Sequence, residues 1–235
     1  MRTLRIETGL AAVSLLSLLL AYGSLAGCKQ DSIRAIVGKA KPAVVMIIAK
    51  DAAGEVIAQG TGFFISADGH IVTSRHVMVG ADLAEVKTAE GKTYVVTGVL
   101  AEDEGADIIE VAIEGGERIS AGFPFLPLAS ALPAEGERVV VIGSPFALES
   151  TVSDGLVSAV REMPSTGQII QITAPISPGS SGSPVLNLQG EVLWFCKVMA
   201  QGGQRGSQGG REYIVVRVLP SADLRLLSSV LSQLK

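Results

Sequence analysis

Histidine is scarce in this chain, with only His70 and His76 among 235 positions. A metal centre using both would need a third ligand, and none clusters with them at suitable spacing, so no metal and no cofactor is expected. Cysteine is equally rare, as Cys28 and Cys196 alone, which leaves stability to an apolar core. A hydrophobic content of 48% is consistent with one. Positive charge is also short: 19 Lys and Arg against 23 Asp and Glu give a net −4, and no basic cluster stands out, which argues against a nucleic-acid partner.

What is present is concentrated at Ser177 to Pro184, SPGSSGSP. A serine between glycines after a Pro-Gly turn suits a nucleophile, provided that a base takes its proton and backbone N–H groups hold the oxyanion formed on the attacked carbonyl. Gly179 can offer one N–H, because without a Cβ it adopts unusual φ/ψ and lets substrate approach. Ser181 offers the other, together with the attacking oxygen. A Gly/Ser/Pro cluster on its own is equally a polar turn, so partners elsewhere in the chain decide between the two.

A general base for serine is most often histidine. Apolar, β-branched runs over Phe63 to Ser66 and His70 to Thr73, split by Ala67-Asp68-Gly69, predict a strand, a turn and a second strand. His76 follows the end of that second strand, where a loop can set an imidazole beside a cleft. His70 starts it, has no polar cluster around it, and reads as a surface residue. The carboxylate that fixes the imidazole is expected at Asp107, which opens the strand-like DIIEVAI. Asp103, among the like charges of Glu102 to Glu104, reads as solvated surface.

These residues resemble the trypsin-like serine proteases of the HtrA/Deg type. The matching segments are GTGFFISADGHIVTSRHVM (60–78), ADIIEVAI (106–113), VIGSPFALESTVSDGLVSAV (141–160) and QITAPISPGSSGSPVLNLQGEV (171–192). They cover most of the chain after residue 40, in family order. The resemblance implies an all-β fold of two six-stranded antiparallel barrels with a C-terminal helix. Its active site would lie in the cleft between barrels, with His76 and Asp107 on the first and Ser181 on the second. It makes His76 the base, Asp107 the orienter, Ser181 the nucleophile, and the Gly179 and Ser181 amides the oxyanion hole. The function implied is serine endopeptidase activity on unfolded or regulatory polypeptides in the cell envelope. A protease-fold binding module or holdase with little turnover is the alternative.

Several positions depart from the family pattern. Ser177, Ser180 and Ser144 stand where Asn is usual, and Ser183 stands where Gly is usual, adding a Cβ just behind the nucleophile. Glu110 replaces an apolar strand residue. Trp194-Phe195-Cys196-Lys197 replaces a smaller stretch on the strand expected to flank the substrate. Ser180 also replaces the carboxylate that pairs with a new N-terminus in digestive relatives, so loop ordering is the expected control rather than zymogen cleavage.

At the N-terminus, Arg2 and Arg5 precede a largely apolar run from Leu10 that ends in Leu25-Ala26-Gly27-Cys28. A basic segment, an apolar stretch and a small-residue cleavage site make a secretory signal over 1–27. The LAGC ending resembles the bacterial lipobox, which implies lipidation at Cys28. An uncleaved membrane anchor is the other reading. Either way the domain is tethered to a membrane outside the cytoplasm, and Lys29 after the cysteine favours the outer membrane in a double-membraned cell. Removing residues 1–27 leaves 208 residues and a net charge of −5, enough for one substantial core. With Cys28 lipidated, Cys196 has no intramolecular partner and reads as a buried strand residue.

Residues 28–40 are expected to be a tether and a short helix over Ile33 to Lys39, and 41–235 the protease domain. Strands are predicted near Ala43 to Ala49, Val56 to Ser66, Tyr94 to Leu100, Asp107 to Ile113, Arg138 to Ile142, Thr151 to Val160, Gln168 to Thr173, Pro184 to Asn187, Glu191 to Met199 and Tyr213 to Val218. The Gly-rich 201–211 reads as a mobile hairpin loop. Ser221 to Leu234 reads as a closing helix capped by Ser221, with Leu224, Leu227, Val230, Leu231 and Leu234 on one face. No PDZ domain is expected after it. The resemblance also implies a homotrimer, although the stretch after Cys28 holds no aromatic residue of the kind family trimers use.

Overall fold

The computed structural model describes residues 33–116, 122–144, 151–163, 167–196 and 213–215. Ile33, Ile36, Val37 and Ala40 recur at helical spacing, and residues 33–40 form helix α1, whose apolar face packs on the core. A single 3-10 turn at Lys41–Ala43, with Pro42 at its start, ends the helix and feeds the first strand.

The strands are β1 (Val44–Lys50), β2 (Val56–Phe64), β3 (His70–Ser74), β4 (Leu83–Thr88), β5 (Thr93–Asp103), β6 (Ile108–Ile113), β7 (Arg138–Gly143), β8 (Thr151–Met163), β9 (Gly167–Ile172), β10 (Pro184–Leu186), β11 (Val192–Phe195) and β12 (Tyr213–Val215), with one helical turn, α2 (Arg75–Met78), after β3. The first six close into a barrel in the order β1-β2-β3-β6-β5-β4, sealed by antiparallel pairing of β1 with β4. The other six form one sheet, β11-β10-β7-β8-β9-β12. The expected first barrel is therefore closed. The second, among the described residues, is an open antiparallel sheet around its own core, because its edge strands β11 and β12 do not pair there.

Strand β4 has no counterpart among the sequence expectations. Its inward positions are Ala84, Val86 and Thr88, alternating with Leu83, Glu85 and Lys87 outside. Small or polar residues on the buried face gave too weak an apolar period to mark a strand.

Three apolar clusters hold the fold. Val45, Ile47, Phe64, Ile71, Val86, Ile109 and Val111 fill the first barrel, with Phe64 and Phe123 stacked at 4.5 Å. Val139, Val141, Ile170, Ile172, Val185 and Trp194 fill the second sheet's core. Between them, Ile36, Phe63, Val72, Ile108, Val140, Ile142, Leu186 and Phe195 make a cluster drawn from α1 and both halves. Strand β7 shows how one sequence serves two cores: Val139 and Val141 face its own sheet while Val140 and Ile142 face the interface. Burial on both faces explains its unbroken apolar run. At about 1.5–3 kcal/mol for each large side chain removed from water, this middle cluster fixes the two halves against each other. The expected signal segment over 1–27, Cys28, the Gly-rich 201–211 and the closing helix expected at Ser221 to Leu234 lie outside the described residues.

Candidate active site

Strand β3 delivers the first site residue. It pairs with β6 so that Ser74 lies opposite Ile108, and the next residue, Arg75, donates its N–H to the Asp107 carbonyl at 2.9 Å. This register sets α2, and His76 on it, directly beside Asp107. Asp107 precedes β6 with φ +56°, the one non-glycine residue with positive φ among those described. Asp is among the few side chains that visit this region. The turn turns its carboxylate back onto α2, where one oxygen accepts the His76 N–H at 2.9 Å and the other lies 2.7 Å from His76 Nδ1.

The opposite ring nitrogen, Nε2, lies 3.0 Å from Ser181 Oγ. With the proton on Nδ1 directed at Asp107, Nε2 is left as an acceptor for the Ser181 hydroxyl. Asp107 is buried at 7% side-chain exposure, whereas the imidazole is 42% exposed. The carboxylate is thus shielded, while the ring opens to an incoming molecule.

Ser181 stands in a loop stitched by its own backbone. Ser180 N–H donates to Ser177 carbonyl at 2.9 Å, Ser183 N–H to Ser180 carbonyl at 3.0 Å, and Gly182 N–H to Cys196 carbonyl at 2.7 Å. Gly179 has φ +93° and Gly182 φ +86°, values that glycine adopts without strain. A Cβ on Gly182 would also collide with the Thr61 carbonyl oxygen. The Gly179 and Ser181 amides donate to no protein acceptor among the described residues, so both expected oxyanion donors are unengaged.

All four residues expected at the site, His76, Asp107, Ser181 and Gly179, therefore converge. Other expectations change. His70 is not an isolated surface residue: its Nδ1 lies 3.1 Å from Glu110 Oε1, with 30% and 4% side-chain exposure. Burial raises the Glu110 carboxyl above its ordinary value, and the charge and hydrogen bond of His70 partly offset that rise. His70 supplies the partner that an acidic residue needs at an apolar strand position. Asp103 is also more than solvated surface, for its Oδ1 accepts the Ala106 N–H at 2.8 Å and caps the turn leading to Asp107. Trp194, Phe195 and Cys196 turn their side chains inward, while the Cys196 carbonyl accepts the Gly182 N–H next to Ser181. They are buried in the cores, at 2%, 4% and 0% exposure, and burial pushes the Cys196 thiol up to about 12. Lys197 lies outside the described residues.

Sequence reasoning missed Thr61, Thr73 and Ser74, and noted Ser144 only as a departure from the family pattern. All four are buried polar residues that join the two halves at the site or brace that junction. Thr61 Oγ1 donates to the Gly179 carbonyl at 2.8 Å and accepts the Ser144 N–H at 2.9 Å. Thr73 Oγ1 donates to the Thr61 carbonyl at 2.6 Å, and Ser74 Oγ lies 3.4 Å from the Cys196 carbonyl. The available signal was a polar residue interrupting an apolar strand, as Thr61 does between Gly60 and Gly62.

Comparison with known proteins agrees with this geometry. A family model described as trypsin-like peptidase domain matches residues 60–193, more than half of the chain. Serine protease HTRA2, mitochondrial, of Bos taurus is 42% identical over 147 residues, covering 58% of this chain and 31% of that protein. A probable periplasmic serine endoprotease DegP-like of Pseudomonas fluorescens is 38% identical over 138 residues, covering 57% and 28%. The chain thus spans about a third or less of the length of these relatives. Among solved structures, a serine endoprotease from Yersinia pestis superposes with a TM-score of 0.65 at 24% identity, covering 85% of this chain and 65% of the other, a likeness of fold. On the family match and the fold together, the chain belongs to the trypsin-like peptidase domain family.

Proposed function

We propose that this protein is a membrane-tethered serine endopeptidase that acts outside the cytoplasm on unfolded or regulatory polypeptides. One observation carries the reading: Asp107, His76 and Ser181 form an unbroken hydrogen-bonded series beside two unengaged backbone amides. Each part has a role in acyl transfer. His76 takes the Ser181 proton as Oγ attacks the peptide carbonyl, and Asp107 holds the tautomer and stabilises the imidazolium. The Gly179 and Ser181 amides receive the oxyanion. The imidazolium then protonates the leaving amine, and water resolves the acyl-enzyme with His76 again as base.

Location rests on different support. The apolar run ending in LAGC supports lipidation of Cys28, and the DegP-like relatives carry the word periplasmic in their names. Lys29 favours the outer membrane where there are two. Radiolabelled palmitate incorporated by wild type and lost in Cys28→Ala is the expected result, while a wild type that takes up no label yet stays with the membrane points to an uncleaved anchor. Assembly as a homotrimer belongs to the same reading and is checked by light scattering.

The test of activity is labelling of the purified full-length chain with a fluorophosphonate, alongside casein cleavage, in wild type, Ser181→Ala and His76→Ala. Rapid labelling and cleavage in wild type, both lost in the variants, is expected, because the reagent reports an assembled base and oxyanion site. A folded wild type that neither labels nor cleaves would leave a protease-fold binding module in its place.

A further inference from the structure

Among the two oxyanion donors, Gly179 has no side chain to hold it, and its φ of +93° is one of several conformations open to glycine. A rotation of the adjoining peptides would turn its N–H away from the site. Of the loop's own hydrogen bonds, the one from Ser180 N–H to the Ser177 carbonyl holds the Gly179–Ser180 peptide by its N–H, and none among the described residues holds the Pro178–Gly179 peptide that carries the Gly179 N–H.

The restraint comes from the other half of the molecule. Thr61, on β2 and fully buried, donates its hydroxyl to the Gly179 carbonyl at 2.8 Å and its backbone N–H to the Ser181 carbonyl at 2.8 Å. Its hydroxyl oxygen accepts from Ser144 N–H at 2.9 Å, which directs the hydroxyl proton toward Gly179. Its carbonyl accepts the Thr73 hydroxyl at 2.6 Å, three residues before His76. One threonine therefore touches both donor residues of the nucleophile loop and the strand that carries the base.

We infer that Thr61 is the positioning residue of the oxyanion site: by holding the Gly179 carbonyl, on the peptide after the donor N–H, together with the Ser181 carbonyl, it fixes the backbone on the C-terminal side of each donor residue and limits how far the Gly179 N–H can turn from the attacked oxygen. The inference rests on the proteolytic reading above. It predicts an effect on the chemical step rather than on substrate affinity, since Thr61 lies beneath the loop and touches no substrate. Thr61→Val keeps the shape and removes the hydroxyl, and Thr61→Ser restores it.

The experiment uses the full-length chain and measures the rate of fluorophosphonate labelling, kcat and KM for a fluorogenic peptide, and the melting transition. Thr61→Val is expected to lower the labelling rate and kcat by about 10- to 100-fold, less than the loss from deleting a donor outright, with KM within about twofold and Thr61→Ser within about threefold of wild type. A Thr61→Val protein that melts cooperatively and matches wild type in both rates overturns the inference alone. Should Thr61→Val not fold, Thr61→Cys is read instead, because a thiol fills the site but is a weak donor, and a wild-type rate there overturns the inference equally. A wild type that the probe does not label overturns the proteolytic reading and this inference with it.

Discussion

The side chain of Ser183 occupies the space that Gly143 leaves open. A Cβ built on Gly143 would fall on Ser183 Oγ, so a serine directly behind the nucleophile loop is accommodated by a glycine at the end of β7. The hydroxyl fits sterically yet has no hydrogen-bond partner among the described residues in its buried position, which leaves an unsatisfied polar group of the kind that typically costs about 1–3 kcal/mol.

Gly143→Ala is therefore expected to destabilise the fold by about 1–3 kcal/mol through overpacking. Adding Ser183→Gly should recover most of that loss. Denaturant melts of both single variants and the double variant give the coupling energy, and additive effects would show that the two positions do not share space.

Asp107→Asn tests the hold on the imidazole separately from the fold. Asparagine tolerates the positive φ at this position, so the melting temperature should change little. Peptide hydrolysis should fall about 10⁴-fold, since the amide favours the wrong tautomer of His76. A fall under tenfold in peptidase assays would remove Asp107 from its assigned role.

Glu110 gives a pH dependence with a defined sign. Its carboxyl titrates above the ordinary 4.5 in the folded state because burial penalises the charged form. Between 4.5 and the raised value the folded state binds more protons than the unfolded one, so stability falls as pH rises through that window. Glu110→Gln does not titrate. Its stability relative to wild type should therefore grow as pH rises from below 4.5, measured by urea melts across the acid range, and a difference that is flat or grows toward acid contradicts the assignment.

Cys196 should be chemically silent. A thiol pushed up to about 12 by complete burial presents almost no thiolate at mildly alkaline pH. Peptide mapping after iodoacetamide treatment should find Cys196 unmodified in the native protein and fully modified in denaturant. Ready modification of the native protein would show that β11 opens locally.

Much of this site was legible because its parts are short-range in sequence. SPGSSGSP holds the proposed nucleophile, a strand running into Arg75-His76 delivers the proposed base, and a carboxylate opening an apolar run is its proposed partner. The strands with strong apolar periods were legible for the same reason, while β4, with Ala84 and Thr88 on its buried face, was not. Long-range pairings left no such trace. Nothing near His70 in the sequence points to Glu110, forty residues away, and nothing near Thr61 points to Gly179, which is 118 residues away.

By itself the sequence determined which groups are available: two histidines, a serine flanked by glycines, carboxylates at the ends of strands, and apolar runs enough for a core. These are local matters of residue chemistry and periodicity. Only the tertiary structure decided their use. The β3–β6 register sets His76 against Asp107, the core between the halves sets His76 against Ser181, and buried hydroxyls such as Thr61 hold the loop across that boundary. Each of these depends on which distant strands meet and in what register, and hydrophobic burial selects that arrangement for the molecule as a whole.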